Sequence, residues 1–357
     1  MSEKTTAPLS INQYLSEPLR IGEPTHSGPL AIYPVFGPEP GVLYISLRQA
    51  IEQGNLTVKE LPGTASVRDL VVENLGRHNV LVFEGEEVLG AQQNRTFDIS
   101  ALIPAGSRLT VPVSCVEAGR WDGSRHTEGF TAAPQAADPR MRGSKVRQSH
   151  RSRIAGNEAR ANQGEVWDIV RERSEALGVH SPTESMNDLF DSNRSRLHEI
   201  TAGLEASEGQ LGMVAVAGGE VIAFDLVSRA EVFEQMFQPL MQGYALDALT
   251  SAGARGAGAR EAASSGAAGS GAASVDGDAV AGFVESATAT RILEGDGVGL
   301  GRDFRFESPE LVGAGLLSGD ELIQLSVFPA VRHDDRNRGP AHARRTRIAR
   351  PSRRRNL

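Results

Sequence analysis

Leu109, Val111, Val113 and Cys115 alternate with Arg108, Thr110, Pro112 and Ser114, the clearest period-two stretch in the chain. Such alternation predicts a strand whose faces differ. Further strands are predicted over Leu30–Phe36, Leu43–Ile45, Leu56–Leu61 and Val67–Val72, the last two separated by Pro62-Gly63. Val80–Phe83 is apolar on both faces and reads as a buried strand, and Gly85 permits a tight turn into Val88-Leu89. Arg95, Phe97 and Ile99 then share one parity while Asn94, Thr96 and Asp98 share the other. Within this β region only Ser46–Gln53 has helical spacing, through Leu47, Ala50 and Ile51.

The period changes after residue 160. Asn162 with Glu165 forms a capping box ahead of Val166, Ile169, Val170 and Leu177, which predicts a helix. Ser181-Pro182-Thr183-Glu184 predicts another start, with Met186, Leu189, Phe190, Leu197, Ile200 and Leu204 as its buried face. Leu211–Ala217 and Val221–Leu226 read as a hairpin joined through Gly218-Gly219. Ser228 with Glu231 opens a helix through Phe233, Phe237, Leu240 and Leu246, in which Pro239 is expected to make a kink or an interruption. From Ala281 to Pro329 a strand-and-turn pattern returns, with Arg291–Leu293, Phe304–Phe306 and Leu322–Phe328 as its apolar runs. The class is α+β: a mostly antiparallel β unit in the N-terminal third, helices in the middle and strands near the C-terminus.

Four segments fall outside these patterns. Residues 1–18 are polar and read as a disordered N-terminus. Residues 122–160 carry eight Lys or Arg against three acids between Arg125 and Arg160, and read as a long basic loop. Residues 250–274 are almost wholly Ala, Gly, Ser and Arg, a flexible insertion. Residues 331–357 hold ten arginines and two aspartates, a basic disordered tail. One domain over 19–330 is expected between the termini.

Composition sharpens this. Apolar content of 39% and charged content of 23% belong to a soluble globular chain, and 5% aromatics make the core mainly aliphatic. The net charge of −8 divides into +8 on the tail and −16 on the remainder, so nucleic-acid contact is confined to the tail. Cys115 is the sole cysteine, which excludes an internal disulfide and a cysteine-based zinc site and fits a cytoplasmic location. The polar start predicts no signal peptide, and no apolar run is long enough for a membrane span.

The candidate chemistry lies at strand ends. Glu84, Glu86 and Glu87 read as hairpin carboxylates, whereas Glu117 continues the parity of the apolar strip and needs a buried partner. Arg95 is the first choice of partner and Arg120 the second. Glu117 is therefore the candidate acid or base, and Cys115, among three aliphatics, reads as an inert buried thiol. Gln163, Trp167 and Arg171 lie four apart on one helix and together offer amide bonds, a stacking face and a positive charge. Gly295–Gly301 reads as a turn between strands, because the strand–loop–helix context of a phosphate loop is missing. No spacing matches a metal site, and no residue pattern names a cofactor.

Several stretches carry a resemblance: Glu84-Gly85-Glu86, Gly90-Ala91, Gln93-Asn94-Arg95, Pro112–Glu117 with Arg120-Trp121, and Gln163–Trp167. Asp225-Leu226, Tyr244–Leu249, Gly297-Val298-Gly299 and Leu325–Phe328 follow. Together they resemble the bacterial domain family named for its association with ADP-ribosylglycohydrolases and rhodanese/phosphatase-superfamily proteins, over about residues 20–330. The resemblance implies a neighbourhood of ADP-ribose or NAD-derived compounds and no particular reaction. The expectation is a protein that binds a nucleotide or ADP-ribose-type ligand, with processing of it left open. Gln93, Asn94, Arg95, Arg120, Trp121, Gln163 and Trp167 would bind, and Glu117 would serve as acid or base. The alternative is a non-enzymatic accessory or scaffold protein in which the same polar cluster is structural. The oligomeric state is not legible.

Overall fold

The structure is a computed structural model that describes residues 10–39, 41–61, 68–120, 129–262 and 277–330. A 3-10 turn at Ile11–Tyr14 precedes β1 (Arg20–Ile21), β2 (Thr25–Ser27) and β3 (Leu30–Phe36). β4 (Tyr44–Ser46) runs directly into α1 (Leu47–Glu52), because the Ser46 hydroxyl accepts from the Gln49 amide at 3.0 Å and caps the helix. Seven strands follow: β5 (Leu56–Glu60), β6 (Asp69–Asn74), β7 (Asn79–Val82), β8 (Glu86–Gly90), β9 (Arg95–Phe97), β10 (Ala101–Ile103) and β11 (Arg108–Cys115). β12 (Phe130–Ala136) leads into α2 (Pro139–Ile154), α3 (Gln163–Leu177), α4 (Met186–Ser192) and α5 (Arg194–Thr201). The hairpin of β13 (Gly212–Ala217) and β14 (Glu220–Val227) comes next, then α6 (Ala230–Ala262) and α7 (Gly277–Ala289). β15 (Leu293–Asp296), β16 (Arg302–Glu307), β17 (Leu311–Ser318) and β18 (Glu321–Pro329) close the described chain.

These strands make three sheets, and the class is α+β as expected. The largest runs β1-β3-β13-β14-β18-β17-β16-β15, with β2 on β3. Its alternating residues feed two cores. Leu30, Ile32, Met213 and Ala215 face the helices, including Phe233, Leu240 and Tyr244 of α6. Ala31, Tyr33, Val35 and Val214 face the other way, onto Ile11 and α7. A six-stranded sheet, β12-β8-β9-β11-β6-β5, and a three-stranded one, β10-β7-β4, enclose a third core with α1. The β4–β7 pair is parallel, and every other ladder is antiparallel among the described residues. At the β13–β14 turn Gly218 and Gly219 have φ of 58° and 83°, the two left-handed positions that a type I′ hairpin demands.

Several sequence expectations need correction. The basic stretch 122–160 is not a loop over its described part. It contains β12 and the sixteen-residue α2, which Asp138 caps by accepting from the Arg140 and Met141 amides, with Pro139 at the first turn. The chain at Ser181–Glu184 does not start a helix. It turns, with Glu184 at φ 51°, and the helix begins at Met186 and breaks in two at Asn193. α6 continues through Pro239 and on to Ala262, into the stretch read as an insertion; Met236, Phe237, Leu240 and Met241 are buried on both sides of the proline and hold the helix to the core. Residues 277–289 form α7 and not strand, its buried side set by Val280, Val284 and Ala287. Ile11, in a segment read as disordered, is fully buried against α7. Residues 1–9, 263–276 and 331–357 lie outside the described residues.

The sheets are joined through α2. Arg142 is fully buried and forks onto Asp225 of β14, Nη1 to Oδ2 at 2.8 Å and Nη2 to Oδ1 at 2.7 Å. Nη2 also donates to Ser326 of β18 at 2.9 Å, and Nε to Glu84 beside β8 at 3.3 Å. The guanidinium lies between the Phe83 and Phe328 rings, 4.9 and 5.0 Å from their centroids. Gly85 is required beneath it, since a Cβ there would meet the Arg142 side chain at 2.7 Å. One turn on, Lys145 donates to the Phe97 carbonyl at 2.5 Å and pairs with Asp98 at 3.3 Å. Arg173 of α3 binds both Asp138 and Asp247, which ties α3 to the start of α2 and to α6.

Removing one partner of a buried ion pair strands the other. Arg142→Ala is expected to cost about 3–5 kcal/mol of unfolding free energy, and Arg142→Lys to recover only part because it cannot bridge both carboxylate oxygens. Urea denaturation checks this; a loss under about 1 kcal/mol would show that Arg142 does not hold the sheets together.

Candidate functional site

Strand β11 ends at Cys115, and the chain turns inward at Val116-Glu117. Glu117 is fully buried. Its Oε2 accepts from Arg120 Nε at 2.9 Å and from the Asn94 amide at 3.3 Å, and its Oε1 accepts from the Thr183 hydroxyl at 2.7 Å. Arg120, also buried, donates in addition to the carbonyl of Ala91 at 2.7 Å and to Asn94 Oδ1 at 3.3 Å. Gln93 Nε2 donates to the Glu117 carbonyl at 2.8 Å, and Arg95 Nη1 donates to Gln93 Oε1 at 3.0 Å. Gln163 completes the set at the start of α3. Its amide pairs with the Cys115 backbone in both directions, at 2.9 and 2.8 Å, as a neighbouring strand would.

The sequence-predicted residues Gln93, Asn94, Arg95, Glu117, Arg120 and Gln163 are thus brought together, but as a closed clamp. Arg120 rather than Arg95 is the partner of Glu117; Arg95 points to Gln93 and lies 3.6 Å from Glu60. Trp167 stands one turn beyond Gln163, half-buried, its indole Nε1 without a hydrogen-bond partner. Trp121 lies outside the described residues. Among the described residues two non-glycine positions have left-handed backbone, and both flank the clamp: Ala91 (φ 43°), whose carbonyl Arg120 holds, and Glu184 (φ 51°), which follows Thr183. Such strain persists only where surrounding contacts impose it.

The electrostatics divide the carboxylates. Burial pushes Glu117 up, but the bonds from Arg120, Thr183 and the Asn94 amide outweigh it and hold the carboxyl below its usual range. An ionised carboxylate with this set of donors anchors Arg120 and has no proton to give, so the geometry does not equip Glu117 as an acid. Glu86 and Glu87, read as solvated hairpin residues, behave oppositely. Burial raises Glu86 to about 7 and Glu87 to about 8. Glu87 accepts from Gln135 Nε2 at 2.6 Å and its Oε1 has no hydrogen-bond partner. Burial raises the Cys115 thiol to about 11, in keeping with an unreactive core side chain.

The clamp is built almost entirely from the motif residues quoted above, and the matching family model, that of the ARG and Rhodanese-Phosphatase-superfamily-associated Protein domain, covers residues 18–328. The chain belongs to this family. No curated protein and no solved structure matches it.

A cavity opens on the far side of Gln163. It is about 1000 Å³ and lies between the outer face of α2, the turn at 155–162 and Arg68. Ser144, Arg147, Gln148, Arg151 and Ser152 line it from α2, at the spacing of one helix face. Arg160 and Arg68 line the opposite side; Arg160 pairs with Asp69 at 2.7 Å, and Arg68 donates to the Ala161 carbonyl at 2.9 Å. Of the candidate binding and acid–base residues named from the sequence, Gln163 lines this cavity, and Gln93, Asn94, Arg95, Glu117 and Arg120 do not. The arginines were visible only as a basic run. Their Ser-x-x-Arg-Gln-x-x-Arg-Ser spacing from Ser144 to Ser152 is the signal that separates a helix face from a loop. Among the described residues no helix is long and apolar enough to cross a membrane.

The two carboxylate environments have opposite pH signatures. Between its ordinary 4.5 and about 8, folded Glu87 keeps a proton that the unfolded chain has released, so its contribution to stability falls as pH rises across that window. Glu87→Gln is therefore expected to match the wild type at pH 5 and to exceed it by on the order of a few kcal/mol at pH 9. Glu117, depressed on folding, contributes above its unfolded value and loses the contribution as pH falls through its folded value. Glu117→Gln is expected to cost about 3–5 kcal/mol at pH 7 and progressively less in acid. Urea midpoints across pH 3–9 test both signs.

Proposed function

We propose that this protein binds a phosphate-bearing small molecule of nucleotide type, ADP-ribose and NAD-derived compounds included, in the cavity on the outer face of α2. One observation carries the reading: four arginines, Arg68, Arg147, Arg151 and Arg160, converge on an open cavity of about 1000 Å³ that also presents Gln148, Asn157 and Asn162. That is the size of a ligand site, and arginine forks match the oxygens of a phosphate. Arg151 is the most available of the pairs described, with a largely exposed side chain bonded to Glu307 at 2.9 Å. The family's name, which associates it with ARG and rhodanese-phosphatase-superfamily proteins, agrees with a nucleotide-linked context. The buried thiol of the sole cysteine agrees with a cytoplasmic setting.

The clamp then has a positional role. Gln163 both pairs with the Cys115 backbone and lines the cavity, so Glu117 and Arg120 fix the strand end against which the cavity wall rests. Gln163 apart, the site is separate from the residues that hold it.

Calorimetry at low ionic strength with ADP-ribose, NAD and ADP tests the proposal. Arg151→Glu is expected to weaken binding at least tenfold, since one charge-assisted hydrogen bond contributes about 1.5–3 kcal/mol and 1.4 kcal/mol is a factor of ten. The melting temperature without ligand should stay within about 2 °C of the wild type, because exposed ion pairs contribute little. Absence of saturable binding by all three compounds at millimolar concentration would remove it.

A further inference from the structure

The arginine-lined cavity adjoins a second. Ser144, Arg147 and Glu165 line both. The second, about 460 Å³, runs between α2 and α3 toward the end of β18. Its balance of charge is the reverse: it sets Glu165, Asp168 and Glu172 against Arg140 and Arg147, whereas the first sets four arginines against Glu158 and Glu165. Asp168 and Glu172 of α3 supply carboxylate oxygens, which accept hydrogen bonds, Glu172 already from Arg140 at 2.5 Å, and Ile169 with Pro329 supplies an apolar wall. Gly143 lies at its floor, close over Phe328: a Cβ there would come within 3.1 Å of the Phe328 side chain. Arg147 stands at the junction, fixed by its bond to the Ala330 carbonyl and by Glu307 at 3.7 Å.

A chamber with an excess of arginine joined to one with an excess of carboxylate selects a ligand whose two ends differ in the same sense. We propose that the pair of cavities takes a sugar carried on a diphosphate. The diphosphate lies among Arg147, Arg151 and Arg160, the sugar hydroxyls donate to Asp168 and Glu172, and the sugar's C–H face rests on Ile169 and Pro329. A bare nucleotide fills the first chamber and leaves the second carboxylate-lined chamber unused. Asp168 can turn to a ligand at small cost: its side chain is 59% exposed and its bond to Arg171 is a surface pair. This inference rests on the anion-binding cavity proposed above and adds the sugar-binding chamber to it.

Pyrophosphate, ADP and ADP-ribose, titrated by calorimetry into the full chain, separate the two ideas, because ADP-ribose adds one terminal ribose to ADP. The wild type is expected to bind pyrophosphate detectably and ADP-ribose at least tenfold more tightly than ADP. Asp168→Ala should remove most of that tenfold difference and leave pyrophosphate binding unchanged, and Glu172→Gln, which keeps the side-chain shape, should reduce it in the same direction. Circular dichroism and melting temperature confirm that each variant folds. If ADP and ADP-ribose bind the wild type alike, or if both variants keep the full difference, the sugar chamber is wrong while the anion cavity stands. If pyrophosphate, ADP and ADP-ribose all fail to bind, the anion cavity falls and the sugar chamber with it.

Discussion

The fork of Arg142 onto Asp225 is the contact on which the arrangement of sheets depends. A guanidinium with no solvent access is tolerable only if its donors are met. Asp225 meets two of them, while Ser326 and Glu84 take others. Tyr244 from α6 donates to the same aspartate, so four elements of the chain converge on one charge pair. The aromatic rings of Phe83 and Phe328 close the two faces of the guanidinium. This polar joint gives the sheets one relative placement, because sliding either one would leave a buried charge unmatched.

Helix α2 has no ordinary apolar stripe, and the reason follows from that joint. Its inner face carries Met141, Arg142, Lys145, Val146 and Ser149, all buried, and its outer face carries Arg147, Gln148 and Arg151 at the cavity. Cations stand on both sides and serve opposite purposes. The inner ones are neutralised by Asp225, Glu84 and Asp98 and fix the helix in place. The outer ones keep surface partners, Arg151 with Glu307 at 2.9 Å among them. The rigidity of the inner face is what gives the outer face a defined shape.

The clamp around Glu117 works at shorter range. Its members come from β9, the turn before it, the end of β11, the turn at Thr183 and the start of α3, and nearly every polar atom is spent within the set. The polar groups that the sequence places at a strand end are thereby turned on one another. Strained backbone at Ala91 and Glu184 shows how tightly the set is constrained.

What the sequence determined by itself is local. Alternation in β11, the Asn162 cap of α3, the paired glycines at 218–219 and the buried run at Val80–Phe83 each rest on a period or a cap that a few residues establish. It also gathered most of the clamp, because Glu117 continues an apolar parity and therefore needs a partner. It did not decide which arginine that partner is, since Arg95 and Arg120 differ only in where the turn after β11 carries them. Only the tertiary structure decided that the basic run at Pro139–Ile154 is a helix, because hydrophobic periodicity cannot register a face made of buried cations whose acids lie 47 to 83 residues away, at Asp98 and Asp225. Likewise it buried Glu87 beneath Gln135 of β12 and half-buried Glu86, so that burial, not their own spacing, raises both carboxyls. The cavity is tertiary for the same reason: its walls come from α2, the turn ahead of α3 and Arg68, and no local pattern brings those three together.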